Sequence, residues 1–214
     1  SYSMKFSGKK SYVSEVQRFF PELEDDGIAG RETWKTLRKY FRGAETTVRQ
    51  KSKGLAEIMV ALAHKEVGVE EINGSNKGPR VNQYKSATWL DSQTGWPWCA
   101  AFICWLYREA MERTDANYSF LRPRTAGAWD FENWSKNQDA SVHLAKPHKG
   151  DIQAGDVVCF TFSHIGLAIG SPDSNGYVKT IEGNTDSSGS REGGGVFEKR
   201  RHISKIRSRI RTLV

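Results

Sequence analysis

The chain has 214 residues, of which 37% are hydrophobic and 27% are charged, and its formal net charge is +7. This length predicts one domain of about 150 residues and a smaller one. No apolar run approaches the ~20 residues that cross a bilayer, and no signal peptide is visible, so we expect neither a membrane-spanning segment nor a leader.

The charge is concentrated at the two ends. Residues 1–53 carry 12 basic and 7 acidic side chains (net +5), residues 54–190 carry 12 and 16 (net −4), and residues 191–214 carry 8 and 2 (net +6). Basic ends favour long-range attraction to polyanionic surfaces. For the C-terminal end, the solvated face of a β-strand is the favoured interpretation. An electrostatic or membrane-disturbing role and nucleic-acid binding are the alternatives.

The first 42 residues predict a small helical module. Two short amphipathic patterns flank a loop rich in acidic residues and glycine. The run from Asp26 to Trp34 resembles the DGxxGxxTW signature of small peptidoglycan-binding domains. A helical hairpin packed against the main domain is the alternative. Residues 43–54 are rich in Gly, Ser, Thr and charge, which predicts a linker, and the main domain is expected at 55–214.

Two helices of the main domain are predicted at about 55–67 and 99–113, because apolar residues recur there at helical spacing. Cys99 lies in the first turn of the second helix. Unpaired N–H groups and the helix dipole stabilise an anion at this position, and a thiolate is the reactive form of cysteine. We therefore interpret Cys99 as a nucleophile whose backbone N–H helps to stabilise an oxyanion. Cys104 and Cys159 are expected in the core.

Alternating apolar residues predict three β-strands, at 157–162, 164–170 and 177–182. A run of turn residues before the last of them indicates a hairpin, within an antiparallel sheet built from residues 155–212. Pairing Gly170 with Gly176 would place Glu182 directly opposite His164, on the same face of the sheet. A slip by one residue would move Glu182 to the other face.

His164 is the candidate general base, because it follows the cysteine in the chain and begins a strand. Glu182 would hold the imidazole in one tautomer and stabilise its protonated form. Asn184 lies two residues further along the same predicted face and could orient the imidazole instead, although Glu182 is favoured. The other histidines are assigned no role; His143 and His148, for example, are expected in a polar loop.

Four short motifs occur in an order that resembles the CHAP family of papain-like cysteine amidases and peptidases, which cut bacterial peptidoglycan. They are WCAAF at Trp98–Phe102, GDVVCF at Gly155–Phe160, SHIGLAIG at Ser163–Gly170 and IEGNT at Ile181–Thr185. The resemblance covers residues 55–214. It implies an α+β papain-like fold with helices packed on an antiparallel sheet, and a catalytic order Cys, His, Glu and Asn at the four positions named above.

The resemblance also implies a reaction. Cys99 would attack an amide carbonyl of peptidoglycan, either at the bond between muramic acid and L-alanine (an amidase) or at a peptide bond (an endopeptidase). A monomeric phage endolysin is the expected kind of protein. It would be made in the host cytoplasm and act on the cell wall, with peptidoglycan and the anionic envelope as partners and no nucleic acid. A secreted toxin, a wall-remodelling amidase, an amidase for a thiol–polyamine conjugate and a non-catalytic wall-binding or polyanion-binding protein are the alternatives.

No metal or other cofactor is expected. The three cysteines include no close pair and no Cys-x-x-Cys motif, which indicates neither a disulfide framework nor a zinc site. Some CHAP members carry an acidic calcium loop just before the cysteine, whereas the segment Asp91–Trp98 contains one carboxylate. Calcium takes about six to eight oxygen ligands, so no calcium requirement is predicted.

Overall fold

The computed structural model of the chain describes most of the predicted main domain, at residues 54–114, 117–147, 151–190 and 193–213. These ranges belong to the unit Lys53–Val214. The predicted helical module at 1–42 and all but the last residue of the predicted linker lie outside the described residues, so both remain predictions.

Four helices and six strands occur within the described ranges. The helices are α1 (Leu55–Glu66), α2 (Pro79–Lys85), α3 (Cys99–Glu112) and α4 (Asp130–Lys136). The strands are β1 (Val142–Ala145), β2 (Val157–Phe160), β3 (Ile165–Ala168), β4 (Tyr177–Thr185), β5 (Gly195–His202) and β6 (Ile206–Thr212). The two predicted helices are confirmed as α1 and α3, each within one residue at its end. Helices α2 and α4 have seven residues each, too short to show a clear apolar period.

The strands form one antiparallel sheet in the order β1-β6-β2-β3-β4-β5. Helix α3 packs on β3 and β4, and α1 packs against α3. This arrangement confirms the predicted α+β fold. Strand β1 was not predicted, and the assignment of His143 to a loop is wrong: His143 lies on β1 opposite Arg211. Strand β1 has only four residues and a single buried side chain, Val142, so its sequence carries little alternation.

Helix α3 is the central helix of the described domain. Ten of its 14 residues are buried, as expected for a helix that is apolar on nearly all sides. Tyr84 of α2 packs on the first half of α3, with its ring centroid 5.5 Å from that of Trp98 and 5.2 Å from those of Phe102 and Trp105. This aromatic cluster fixes the start of α3 in the core.

The β3–β4 hairpin forms, but its register differs from the prediction by two residues. Leu167 pairs with Ile181, so continuing this register places Glu182 opposite Gly166 rather than opposite His164. A shift by two residues preserves the face on which each side chain lies, because side chains alternate with a period of two. Glu182 and His164 therefore still share a face, although they are diagonal neighbours.

The turn between β3 and β4 accounts for the altered register. Asp173 Oδ1 accepts hydrogen bonds from the backbone N–H groups of Asn175 and Tyr177, both at 2.9 Å. The backbone N–H of Asp173 donates to Tyr177 O in return. An aspartate side chain that closes a turn in this way sets where the second strand begins. Composition alone indicated the turn but not which residue closes it.

The basic C-terminal end forms β6, but its arginines are not a solvated row. Arg209 pairs with Asp151 across 2.6 Å and Arg211 pairs with Asp156 across 2.7 Å. The Arg209 side chain is only 5% exposed. The predicted strand is therefore present, whereas the prediction of a solvated basic face is wrong for these two residues. Much of the positive charge at this end is neutralised by carboxylates from the segment before β2.

Candidate functional site

Cys99 begins helix α3, and a side chain from the sheet holds the backbone just before it. The N–H of Trp98 donates to Oδ1 of Asn184 across 2.7 Å, and Trp98 O accepts the N–H of Phe102 at 3.0 Å. Cys99 retains 6% of its surface exposed. Because the first N–H groups of a helix have no intrahelical partner, this turn can stabilise negative charge on the thiol or on a bound oxygen.

A glycine allows strand β4 to approach the first turn of α3. A Cβ atom on Gly183 would lie 2.8 Å from both Phe102 Cβ and Trp98 Cζ3, a distance that side chains do not tolerate. The β4 backbone can therefore lie against the helix only because this position has no side chain. As a result, the next residue, Asn184, reaches the backbone at the start of α3.

His164 is fully buried just before β3, and two aromatic rings set the plane of its imidazole. The ring lies 5.8 Å from that of Phe160 and 6.0 Å from that of Phe162, with interplanar angles of 16° and 12°. Its Nε2 atom lies 3.1 Å from Oε2 of Glu182. Among the described residues, His164 Nδ1 has no hydrogen-bond partner, which leaves this atom available to Cys99.

Glu182 reaches His164 by passing over a second glycine. A Cβ atom on Gly166 would lie 2.7 Å from Glu182 Cγ, so the diagonal contact depends on the missing side chain. Thr180 Oγ1 donates to Glu182 Oε1 at 2.6 Å, and Arg201 donates to both carboxylate oxygens, at 2.9 Å and 2.5 Å. The carboxylate is thus bound on three sides by hydrogen-bond donors.

The electrostatics favour an ion pair between these buried groups. Burial disfavours the charged form of Glu182, but hydrogen bonds from Arg201 and His164 prevail and lower the pKa of Glu182 to about 2. Burial likewise opposes protonation of His164, yet its interactions with Cys99 and Glu182 raise the pKa of His164 to about 9. The arrangement can hold a proton on an imidazole that lies between a thiol and a carboxylate.

Arg201 is part of this site, and the sequence analysis missed it. Besides its paired hydrogen bonds to Glu182, its guanidinium lies 5.3 Å from the ring centroids of both Phe160 and Phe162. It therefore contacts the carboxylate and the aromatic rings that stack on His164. Nothing in the basic C-terminal sequence distinguishes this arginine from its neighbours. Only the β4–β5 register, which pairs Arg201 with Val178, places it on the face that carries Glu182.

Asn184 lies beside Cys99 rather than against the imidazole. It adopts a left-handed backbone conformation, with a φ of 58°, at an irregularity in the β4–β5 pairing. Its Oδ1 accepts from Trp98 N–H, and its Nδ2 donates to Gly193 O at 2.7 Å and to Asn76 Oδ1 at 3.2 Å. Of the two residues considered as partners of His164, Glu182 makes the contact, and Asn184 instead ties β4 to the residue before Cys99.

A buried ammonium group holds the loops that lead into α3. Lys85 has no exposed surface, and its Nζ donates to the carbonyl oxygens of Asn76 and Thr94, at 2.8 Å and 2.5 Å. It also lies 5.2 Å from the ring centroid of Trp96. Burial lowers the pKa of Lys85, as does the charge of Lys77. Within the described residues, Lys85 forms no salt bridge, so backbone carbonyls and an aromatic ring are its partners.

Replacing Lys85 with methionine is expected to lower the free energy of unfolding by about 1–3 kcal/mol, because the carbonyls of Asn76 and Thr94 lose the donor that links their loops. Urea denaturation monitored by circular dichroism measures the change. Lys179→Met is the matched control, since the Lys179 side chain is 67% exposed. Equal stability of the two variants would show that the Lys85 hydrogen bonds contribute nothing net.

Neither a metal cluster nor a membrane helix is found in the described part of the chain. No three His, Cys, Asp or Glu side chains within these ranges are grouped so that they could hold a metal ion. The helices described above are also too short or too polar to span a membrane. The predicted lack of a calcium requirement remains a prediction.

Comparison with known families finds a match for the segment that contains Cys99, His164 and Glu182. Residues 91–184 match the CHAP domain family. This segment is therefore similar to a CHAP domain. All four residues selected from the sequence, which are Cys99, His164, Glu182 and Asn184, lie within the CHAP match. Arg201, which binds the carboxylate of Glu182, lies beyond its end.

Two further comparisons add context to the CHAP assignment. No curated protein matches the chain. Among solved structures, a wild-type endolysin named LysIME-EF1 is similar over 73% of this chain, with 16% sequence identity and a TM-score of 0.45. The chain spans 63% of the length of that endolysin.

Proposed function

We propose that this protein is a peptidoglycan hydrolase that cleaves an amide bond with a catalytic cysteine. CHAP domains are typically peptidoglycan amidases or endopeptidases, which supports a hydrolase acting on this substrate. The observation that carries the mechanism is the buried His164, whose Nε2 contacts Glu182 while its interaction with Cys99 favours the protonated ring.

In the proposed mechanism, Cys99 is the nucleophile and His164 moves the proton. The thiolate of Cys99 attacks the amide carbon, and the oxygen that becomes negative is stabilised by backbone N–H groups at the start of α3. Protonated His164 then gives its proton to the leaving nitrogen as the C–N bond breaks, which leaves a thioester on Cys99. Neutral His164 next removes a proton from water, whose oxygen attacks the thioester carbon. The C–S bond then breaks, which releases the acyl group as a carboxylic acid and restores the Cys99 thiolate beside protonated His164.

The remaining residues of the site have positioning roles in this proposal. Glu182 holds His164 in one orientation and stabilises its protonated form. Arg201 and Thr180 keep the Glu182 carboxylate ionised and fixed. Asn184 fixes the backbone that precedes Cys99. No cofactor takes part, since the attack, the proton transfers and the departure of the amine are all carried out by these side chains and water.

The biological setting is proposed on the same grounds. A protein of this kind acts on the bacterial cell wall, and an endolysin role fits the CHAP domain together with the predicted wall-binding module at residues 1–42. We propose three parts: that module, a linker at 43–54 and a catalytic domain at 55–214. A secreted toxin or a wall-remodelling enzyme would use the same chemistry, and the phenotype of the producing cell distinguishes them.

Digestion of purified peptidoglycan, with the products identified by mass spectrometry, tests the proposed function. An amidase frees the amino group of L-alanine and leaves the glycan strand without its peptide. An endopeptidase leaves the peptide on the glycan and creates a new amino terminus within the stem or cross-bridge. If no fragments appear while the protein sediments with the wall, the proposal of hydrolysis is wrong and the protein is a wall-binding protein.

Iodoacetamide is expected to modify Cys99 alone and to abolish hydrolysis completely. Cys104 and Cys159 are fully buried, and burial raises the pKa of both thiols, that of Cys159 to about 12. Both remain protonated and unreactive at neutral pH. Peptide mapping of the alkylated protein, alongside residual activity, measures the result. Full activity after stoichiometric alkylation of Cys99 would contradict the assignment of the nucleophile.

A further inference from the structure

A second concave surface lies apart from the Cys99 site, between α4 and the segments around residues 89 and 122. It is an open groove with a volume of about 700 Å³. None of the residues assigned a catalytic or positioning role lines it. The side chains that matter for its chemistry are Trp89, Leu121, Arg122, Arg124, Asn133 and Asn137.

The groove contains the two most exposed large hydrophobic side chains of the described residues. Leu121 is 81% exposed and Trp89 is 68% exposed. Their positions are fixed by the backbone rather than by burial. Leu121 N–H donates to Gln138 Oε1 at 3.1 Å, and Leu121 O accepts the indole N–H of Trp134 at 2.8 Å. An exposed indole on a supported backbone offers a flat apolar surface to a ligand.

Two arginines in the groove have no carboxylate partner among the described residues. Arg122 donates only to backbone oxygens, those of Ala87 and Pro123. Burial lowers the pKa of Arg122, and the positive charge of Arg124 lowers it further. The Arg124 backbone carbonyl accepts the N–H of Trp89 at 3.2 Å, whereas its guanidinium makes no hydrogen bond or ion pair within the described ranges. This contrasts with the ion-paired arginines of β6, and it leaves the groove with two cations that an anionic ligand can neutralise.

Amide groups line the opposite side of the groove. Asn133 lies in the middle of α4 and Asn137 directly follows its last residue, and because the two are four residues apart they lie on one face of the helix. Their side-chain amides form no hydrogen bonds with described residues. Asp130, which accepts a hydrogen bond from Thr125 Oγ1 at 3.2 Å, adds an acceptor. Amide and carboxylate groups of this kind bind hydroxyl and acetamido groups.

We propose that this groove binds an acidic saccharide chain of the bacterial wall. A sugar ring packs on Trp89, its hydroxyl or acetamido groups bond to Asn133 and Asn137, and a carboxylate or phosphate on the chain pairs with Arg122 and Arg124. The choice of a wall saccharide rests on the proposed function. The anion belongs either to the peptide carboxylates of peptidoglycan or to the phosphates of another wall polymer. Bound there, the chain would hold the enzyme on its substrate between cleavage events.

Co-sedimentation with purified walls tests this proposal, with full-length protein carrying Cys99→Ala so that the walls stay intact. Trp89→Ala and Arg124→Gln are each expected to weaken binding by about tenfold, as when an anchoring aromatic or arginine is removed. Leu213→Ala and Arg113→Gln are the matched controls, because these side chains are exposed and lie outside the groove. Residues 1–53 are identical in all variants, so any wall binding by the predicted module contributes equally.

Walls with and without hydrofluoric acid treatment, which removes phosphate-linked polymers, identify the anion. Weaker binding of the groove variants to both preparations assigns peptidoglycan carboxylates, and weaker binding to untreated walls alone assigns a phosphate polymer. Groove variants that bind both preparations as tightly as the controls would overturn the proposal. Hydrolysis of a short soluble muropeptide is measured separately with Cys99 intact. If the wild type and all groove and control variants fail to hydrolyse the muropeptide, the catalytic proposal is wrong. The co-sedimentation result still tests the groove in that case, because it does not depend on hydrolysis.

Discussion

Replacing Cys99 with alanine is expected to abolish the release of peptidoglycan fragments, with a fall in rate on the order of 10⁴-fold or more, because loss of a nucleophile removes the covalent route altogether. The substitution removes one sulfur atom from the first turn of α3 and leaves the Trp98–Asn184 hydrogen bond in place. The fold and the attachment to the wall should therefore persist. Fragment release, followed by mass spectrometry over several hours, measures the loss.

Cys104→Ala is the matched control for this prediction. Cys104 lies on the same helix and is fully buried, where its thiol donates to Thr125 O at 3.3 Å. Cys104 has no role in the proposed chemistry. The Cys104→Ala variant should therefore retain hydrolysis at any temperature at which the variant is folded. If Cys99→Ala also released fragments at the wild-type rate, the thiol mechanism would be wrong, and the fragments would have to arise from another group.

The start of α3 and the face of the sheet that carries His164 were predictable because both depend on local patterns. Helical spacing after Cys99 and alternation around His164 are properties of a few consecutive residues. The pairing of Glu182 with His164 was predicted only in part. The correct face follows from the period of two, but the register depends on how Asp173 closes the turn, and this is a matter of side-chain geometry rather than of composition.

Residues that contribute through contacts between distant parts of the chain could not be predicted from the sequence. Arg201 joins the site through the β4–β5 register, and Lys85 through two loops that come together in three dimensions. Gly166 and Gly183 are ordinary glycines in the sequence, yet each marks a close approach between elements. A single chain without its contacts does not distinguish such a glycine from one in a turn, or a buried lysine from an exposed one.

The distribution of charge also differs between the sequence and the folded domain. Counting residues predicts a basic C-terminal end with a net charge of +6 over residues 191–214. In the folded domain, Arg201, Arg207, Arg209 and Arg211 each pair with a carboxylate that precedes them in the chain. Among the described residues, the guanidinium groups of Arg122 and Arg124 have no carboxylate partner, and both lie within the segment whose net charge is negative. Charge available for binding is therefore set by tertiary pairing rather than by the count along the chain.

Replacing Glu182 with glutamine is expected to lower kcat by about 10²- to 10⁴-fold, the range expected when a catalytic histidine loses its carboxylate. It should also move the alkaline limb of the pH–rate profile to lower pH. In the wild type, the pKa of His164 is raised from 6.5 to about 9, so the protonated imidazole persists up to about that pH and is lost above it. Without the carboxylate the raised pKa falls, and the active thiolate–imidazolium form is lost at a lower pH.

The pH profile separates this role from a loss of stability. Glutamine leaves the partly buried guanidinium of Arg201 without an anion, and removing one partner of a buried pair costs up to about 3–5 kcal/mol of unfolding free energy. That loss reduces the amount of folded enzyme but does not move the pKa of His164 in the molecules that remain folded. The profile of kcat/KM from pH 5 to 10, at a temperature where the variant is folded, therefore reports the pKa of the His164 imidazole.

Glu198→Gln is the matched control, because it makes the same substitution at a partly exposed residue of β5, and it should leave the profile unaltered. An alkaline limb that stays near pH 9 in Glu182→Gln would show that a group other than the Glu182 carboxylate keeps His164 protonated.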